Sequence, residues 1–71
     1  FKKIFFVLTS KNAPKKCRCI CEVLKYDKKE LILFDALEIL YGSGISFILS
    51  CIPGKLAYYE GEDINQIIFH S

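Results

Sequence analysis

Residues 30–41, Glu30-Leu31-Ile32-Leu33-Phe34-Asp35-Ala36-Leu37-Glu38-Ile39-Leu40-Tyr41, decide the fold of this chain. Two readings compete. Asp35 and Glu38 are three residues apart, as on one helix face, and Gly42 follows where a helix ends in a left-handed residue. The same apolar run also suits a strand buried on both faces. Periodicity by itself leans towards the helix. Immediately upstream, Tyr26-Asp27-Lys28-Lys29 is a polar turn, and Cys17 to Leu24 alternates as a strand does. Cys17, Cys19, Cys21 and Val23 share one face of that strand, and Arg18, Ile20, Glu22 and Leu24 share the other. Strand and turn together predict a hairpin into residues 30–41.

Further out, Thr9 to Pro14 is a loop, and Phe1 to Leu8 is apolar and β-prone, read as an edge strand or an extended arm. Downstream, Tyr41-Gly42-Ser43-Gly44 is a turn and Ile45 to Ile52 a strand ended by Pro53-Gly54. Lys55 to Tyr59 is a short connector. Glu60-Gly61-Glu62-Asp63 then opens a helix, because acids in a first turn complement the helix dipole. Ile64, Ile67 and Ile68 give that helix an apolar stripe. No repeat or low-complexity linker interrupts the chain.

The 71 residues allow one domain, spanning 1–71. With 52% hydrophobic residues, ten of them aromatic, there is material for a core and too much for a disordered tail. A body this small leaves apolar surface for a partner to cover, the plain alternative being a compact monomer. Net charge is +2, yet residues 1–29 hold nine of the ten basic side chains against two acids, which makes them +7. Residues 30–71 hold Lys55 against six acids, which makes them −5. Such asymmetry is a partner signal: lysines release counterions from phosphates, and carboxylates attract a basic protein face. The plain alternative is a solvated surface on which the two signs mix.

Cys17, Cys19 and Cys21 crowd into five residues, with Cys51 apart. A disulfide framework spreads its cysteines to close loops, so these read as free thiols in a reducing, cytoplasmic compartment. Lys2 and Lys3 precede only Ile4 to Leu8, shorter than the roughly 7–15 apolar residues of a secretory signal. No apolar run approaches the ~20 residues of a membrane helix, so no membrane partner is expected. Phe1 rather than Met opens the chain, which points to residues preceding it.

Catalysis finds little support. One histidine, His70, stands next to last, and Gly42-Ser43-Gly44 lacks the spacing of a phosphate loop. Zinc has ligand types in Cys17, Cys19, Cys21, Cys51 and His70, but a Cys-x-Cys-x-Cys strand lays its sulfurs about 6.5–7 Å apart in a row. Such a row packs as small hydrophobes without a metal. The expectation is a binding protein with no catalytic residue, cofactor or metal. Its strongest motif is Lys11-Asn12-Ala13-Pro14-Lys15-Lys16-Cys17-Arg18, where Pro14 stiffens the backbone before three cations that can touch several phosphates.

The segment Ala13-Pro14-Lys15-Lys16-Cys17 resembles the Pro-Arg-Lys-Cys signature of a eukaryotic small-subunit ribosomal protein family, S-twenty-one-e. Tyr26 to Leu33 is similar to that family's turn and strand, Phe47-Ile48-Leu49-Ser50-Cys51 to its Phe-Ala-Leu-Cys-Gly strand, and Gly61 to Ile68 to the opening of its last helix. The match runs over nearly the whole chain. It departs at Arg18-Cys19-Ile20-Cys21-Glu22, where the family has polar residues, and about four residues are inserted between Cys51 and Gly61. The resemblance tips residues 30–41 to strand. It implies a structural constituent of the small (40S) ribosomal subunit, docked beside universal small-subunit protein two, that supports maturation of small-subunit RNA.

The expected fold is therefore α+β, a small antiparallel β-sheet of three to four strands with a C-terminal helix. Lys11, Lys15, Lys16 and Arg18 are the expected rRNA contacts, and Glu60, Glu62 and Asp63 the face towards a neighbouring ribosomal protein. Two other readings stand beside this one. A free-standing oligonucleotide-binding β-barrel would stack bases on Phe34, Tyr41, Phe47, Tyr58 and Tyr59. A zinc-bound interaction domain would use the cysteines.

Overall fold

In the computed structural model, which describes residues 1–70, the chain runs α1 (Lys2–Ser10), β1 (Lys16–Cys21), β2 (Lys29–Ile32), α2 (Leu33–Leu40), β3 (Phe47–Ile52), β4 (Leu56–Glu60) and β5 (Asn65–Phe69). The strands form one antiparallel sheet in the order β2-β1-β3-β4-β5. Cys17, Cys19, Phe47, Leu49, Cys51, Leu56 and Tyr58 point to one face and form a single core with Leu8 of α1 and Leu33, Ala36, Leu37 and Leu40 of α2. The opposite face carries Arg18, Ile20, Ile48, Ser50, Ala57 and Tyr59, all partly or fully open to solvent.

This architecture corrects the expected fold. The sheet has five strands, not three or four, and the chain's last element is β5 rather than a helix. The helices lie at the N-terminus and between β2 and β3. The sheet is also open, with β2 and β5 as its two edges, so it is not a barrel.

Residues 30–41 divide between the two readings. Lys29–Ile32 pairs with β1, and Leu33–Leu40 is helical. Leu33, Ala36, Leu37 and Leu40 recur at i, i+3, i+4 and i+7, and each is at most 1% exposed. A strand would have placed Asp35 on one face and Glu38 on the other, so one carboxylate would have faced the core. The helix turns both outward, and each buried leucine contributes about 1.5–3 kcal/mol.

Phe1 to Leu8 is helix α1 with its preceding residue, not a strand or an arm. Phe1, Ile4, Phe5 and Leu8 follow the same helical spacing and pack on the core. Phe34 of α2 packs in T-shaped pairs with Phe1 and Phe5, each with ring centroids 5.2 Å apart. The helix ends in paired backbone bonds, from the Asn12 N–H to the Thr9 carbonyl (3.0 Å) and from the Ala13 N–H to the Leu8 carbonyl (3.1 Å). Asn12 takes the left-handed conformation this ending needs, at φ 70°. Pro14 follows and bars any continuation.

Lys55 to Tyr59 is no mere connector, because most of it is β4. The expected helix from Glu60 onward is instead a turn followed by β5, which pairs with β4 from Leu56↔Phe69 to Glu60↔Asn65. A helix there would have left the outer backbone groups of β4 without partners.

Candidate nucleic-acid interface

Three segments converge at one end of the sheet. The loop after α1 carries Lys11 and Lys15 and leads into Lys16, the first residue of β1. The β3–β4 turn is Ile52-Pro53-Gly54-Lys55, closed by the Lys55 N–H donating to the Ile52 carbonyl at 2.9 Å. Gly54, at φ 76°, supplies the positive φ that this turn requires after proline. The end of β5 completes the group, with the His70 N–H donating to the Lys55 carbonyl at 2.7 Å. Lys11, Asn12, Ile52, Lys55, Phe69 and His70 line a shallow cleft here. The Lys11 ammonium lies 4.4 Å from the centre of the Phe69 ring. None of residues 10–16, 52–56 and 68–70 is acidic.

The expected phosphate contacts fall on this end and its border. Lys15 and Lys16 are exposed and Lys11 is half-buried. Arg18 is exposed on the open face, but its guanidinium donates to the Lys28 carbonyl at 3.1 Å and it pairs across the sheet with Glu30. It is the least free of the four. Lys55 and His70 were missed, because Lys55 is the lone base of the acidic half. The Pro53-Gly54 turn was the available signal, since it returns the chain to the level where β1 begins.

The division of charge along the chain is not a division of the surface. Lys2 and Lys3 lie beside Tyr41, and Lys25, Lys28 and Lys29 sit at the β1–β2 turn, all away from the basic end. Glu62 and Asp63 occupy the β4–β5 turn at that same far end, so the signs mix there.

Glu60 does not belong to a partner face. It is 8% exposed and its carboxylate is used inside: Oε1 accepts from the Tyr58 hydroxyl and Oε2 from the Gly42 N–H, both at 2.9 Å. Burial, followed by the bond to Glu60, pushes the Tyr58 hydroxyl above its ordinary range. Glu62 and Asp63 are exposed.

The cysteines split into pairs instead of converging. All four are free thiols: Cys19 Sγ lies 3.9 Å from Cys21 Sγ, and Cys17 neighbours Cys51, their thiols donating to the Pro14 carbonyl (4.0 Å) and the Leu49 carbonyl (3.7 Å). Among the described residues no three potential ligands gather to hold a metal ion. The neighbouring Cys51 thiol, then burial, push Cys17 well above the usual thiol range, while the neighbouring Cys17 thiol lowers Cys51. Burial, then the neighbouring Cys21, push Cys19 up to about 12.

The five candidate stacking aromatics share no surface. Phe47 and Tyr58 are core residues, with rings 5.8 Å apart. Phe34 and Tyr41 pack against Phe1. Only Tyr59 lies on the open face, opposite Ile48 and Gln66.

No known protein family, curated protein or solved structure matches this chain.

Proposed function

We propose that this chain is an RNA-contacting module that seats its basic end on a phosphate backbone. The observation that carries the reading is the convergence of Lys11, Lys15 and Lys16, from the α1–β1 loop and the start of β1, with Lys55 of the β3–β4 turn onto one end, where Glu30 is the acid that borders Lys16. Folding adds Lys55 to cations that the sequence already clusters. Phosphate contacts of this kind give affinity and orientation without sequence readout. The role is binding and not catalysis: Cys17, Cys19 and Cys51 are buried, and His70 keeps company with lysines.

Within that reading, the particular setting we propose is a ribonucleoprotein, the small ribosomal subunit and its RNA, with a neighbouring ribosomal protein at the Glu62–Asp63 end. The S-twenty-one-e resemblance lends this limited support, because one of its matched stretches folds otherwise. Tyr26 to Ile32 is a turn and strand, but Gly61 to Ile68 is turn and strand where the resemblance implies a helix. The proposal rests on the basic end.

Fluorescence anisotropy with a short labelled RNA tests it. Four phosphate contacts predict a log–log salt slope of about −3 on a single strand. Reversing Lys15 and Lys16 to Glu weakens binding by roughly tenfold or more, and Lys55→Glu several-fold, while Lys2→Glu with Lys3→Glu changes it by less than about twofold. Equal losses from both ends would mean general attraction and no site. Sucrose-gradient sedimentation tests the setting: a chain never found with small subunits removes the ribosome and leaves the RNA-contacting end to the binding data.

A further inference from the structure

The two edges of the sheet differ. β2 is four residues long and carries Lys29 and Glu30, charges that discourage pairing with another strand. β5, Asn65-Gln66-Ile67-Ile68-Phe69, carries no charge, no proline and no bulge in its pairing with β4. It is the unprotected edge, and Ile68 and Phe69 are 44% and 48% exposed.

Its outward hydrogen-bonding groups can be identified. The Gly61 N–H donates to the Ile64 carbonyl, and the His70 N–H to the Lys55 carbonyl, both at 2.7 Å. These bonds bracket the β4–β5 ladder, and alternation along an antiparallel pair assigns the even residues 64, 66, 68 and 70 to β4. Asn65, Ile67 and Phe69 therefore turn their N–H and C=O groups outward.

We propose that β5 is a dimerisation edge, where two copies of this chain pair antiparallel about a two-fold axis at Ile67 and merge their sheets into one. Ile67 meets Ile67 of the second copy, and Asn65 meets Phe69. Each of these pairs exchanges both bonds, about six in all. Charge selects this orientation. Asn65 directly follows the turn holding Glu62 and Asp63, and Phe69 directly precedes His70 and lies beneath Lys11. Antiparallel pairing brings the acidic turn of each copy to the Lys11–His70 corner of the other, twice over. Parallel pairing would set like charges side by side. The interface is isologous, as a closed dimer requires. Lys15 and Lys16 lie across the sheet from β5 and stay open, whereas Lys11 and the Glu62–Asp63 turn are shared with the contacts proposed above, so the Lys15 and Lys16 reversals report on RNA binding and the Glu62 and Asp63 reversals on the dimer.

Sedimentation equilibrium of the whole chain, from about 1 µM to about 1 mM, spans the range in which so small an interface dissociates. We expect a monomer–dimer equilibrium that weakens with salt, and amide exchange at Ile67 and Phe69 that slows as concentration rises. Glu62→Lys with Asp63→Lys, both at exposed positions, raises the dissociation constant by roughly tenfold, and adding Lys11→Glu recovers most of the loss. A monomer at every concentration overturns the proposal. So does association that the charge reversals spare and Ile20→Lys abolishes, since that places the contact on the open face. Exchange protection that persists at every dilution also overturns it, because another segment of the same polypeptide would then cover the edge.

Discussion

Replacing Glu60 by Ala removes an acceptor on which two elements depend. Its carboxylate takes the Tyr58 hydroxyl, whose residue is 0% exposed, and the Gly42 N–H that begins the turn after α2. A buried polar group left without a partner costs about 1–3 kcal/mol. The Tyr58 hydroxyl bears that in full, and Gly42, in an exposed turn, recovers part of its share from water. The expected loss is about 2–4 kcal/mol. A domain of this size has roughly 4–10 kcal/mol in all, so the melting temperature falls by on the order of 15 °C. Glu60→Gln loses only about 1 kcal/mol, since its amide oxygen can serve Gly42 and its NH2 can donate to the Tyr58 oxygen. Urea unfolding followed by circular dichroism measures each variant, with Tyr58→Phe completing a double-mutant cycle. Tyr58→Phe is destabilising alone and close to neutral beside Glu60→Ala, because the orphaned hydroxyl is then gone. A loss below about 0.5 kcal/mol for Glu60→Ala, with Tyr58→Phe equally costly in both backgrounds, would refute the inward role of Glu60.

The thiols and Tyr58 set a pH dependence. Cys19 rises from 9.0 to about 12 on folding and Tyr58 rises above 10.0, so between those limits the unfolded chain loses protons that the native state keeps. Their stabilisation is complete below about pH 9 and lost progressively towards pH 12. The urea midpoint should be lower at about pH 10.5 than at about pH 7.5, and a higher midpoint contradicts the burial of these groups. Alkylation of the native protein should modify half-buried Cys21 first and leave buried Cys17, Cys19 and Cys51 until unfolding. Rapid modification of all four in the native state, seen by mass spectrometry, would contradict the inward-facing row.

Where the sequence is legible, its period matches the structure. The alternation around Cys17 and Cys19 correctly placed those sulfurs inward and Arg18 and Ile20 outward, and the run ending at Ile52 is a strand. The stripe Phe1-Ile4-Phe5-Leu8 was equally legible, but β-prone residue types obscured it. In residues 30–41 the helical spacing was the better guide, and the family resemblance displaced it. The stripe Ile64-Ile67-Ile68 misled for a different reason: β-branched residues satisfy both periods, and the unpaired edge of β4 decided between them. Of the candidate site, Lys11, Lys15 and Lys16 could be read from one motif. Lys55 could not, because its proximity to them depends on how β3 and β1 register. Glu60 looked like surface until Tyr58 and Gly42 closed over it.

By itself, the sequence determined a single small core, free thiols along an inward strand face and a stiff cationic loop before that strand, because each of these is set by neighbours a few residues apart. The tertiary structure alone decided that β5 is a strand, that Glu60 is internal and that the basic end draws on both halves of the chain. Those outcomes depend on which backbone edges and side chains meet across the sheet, and pairing between residues distant in sequence leaves no local pattern to read.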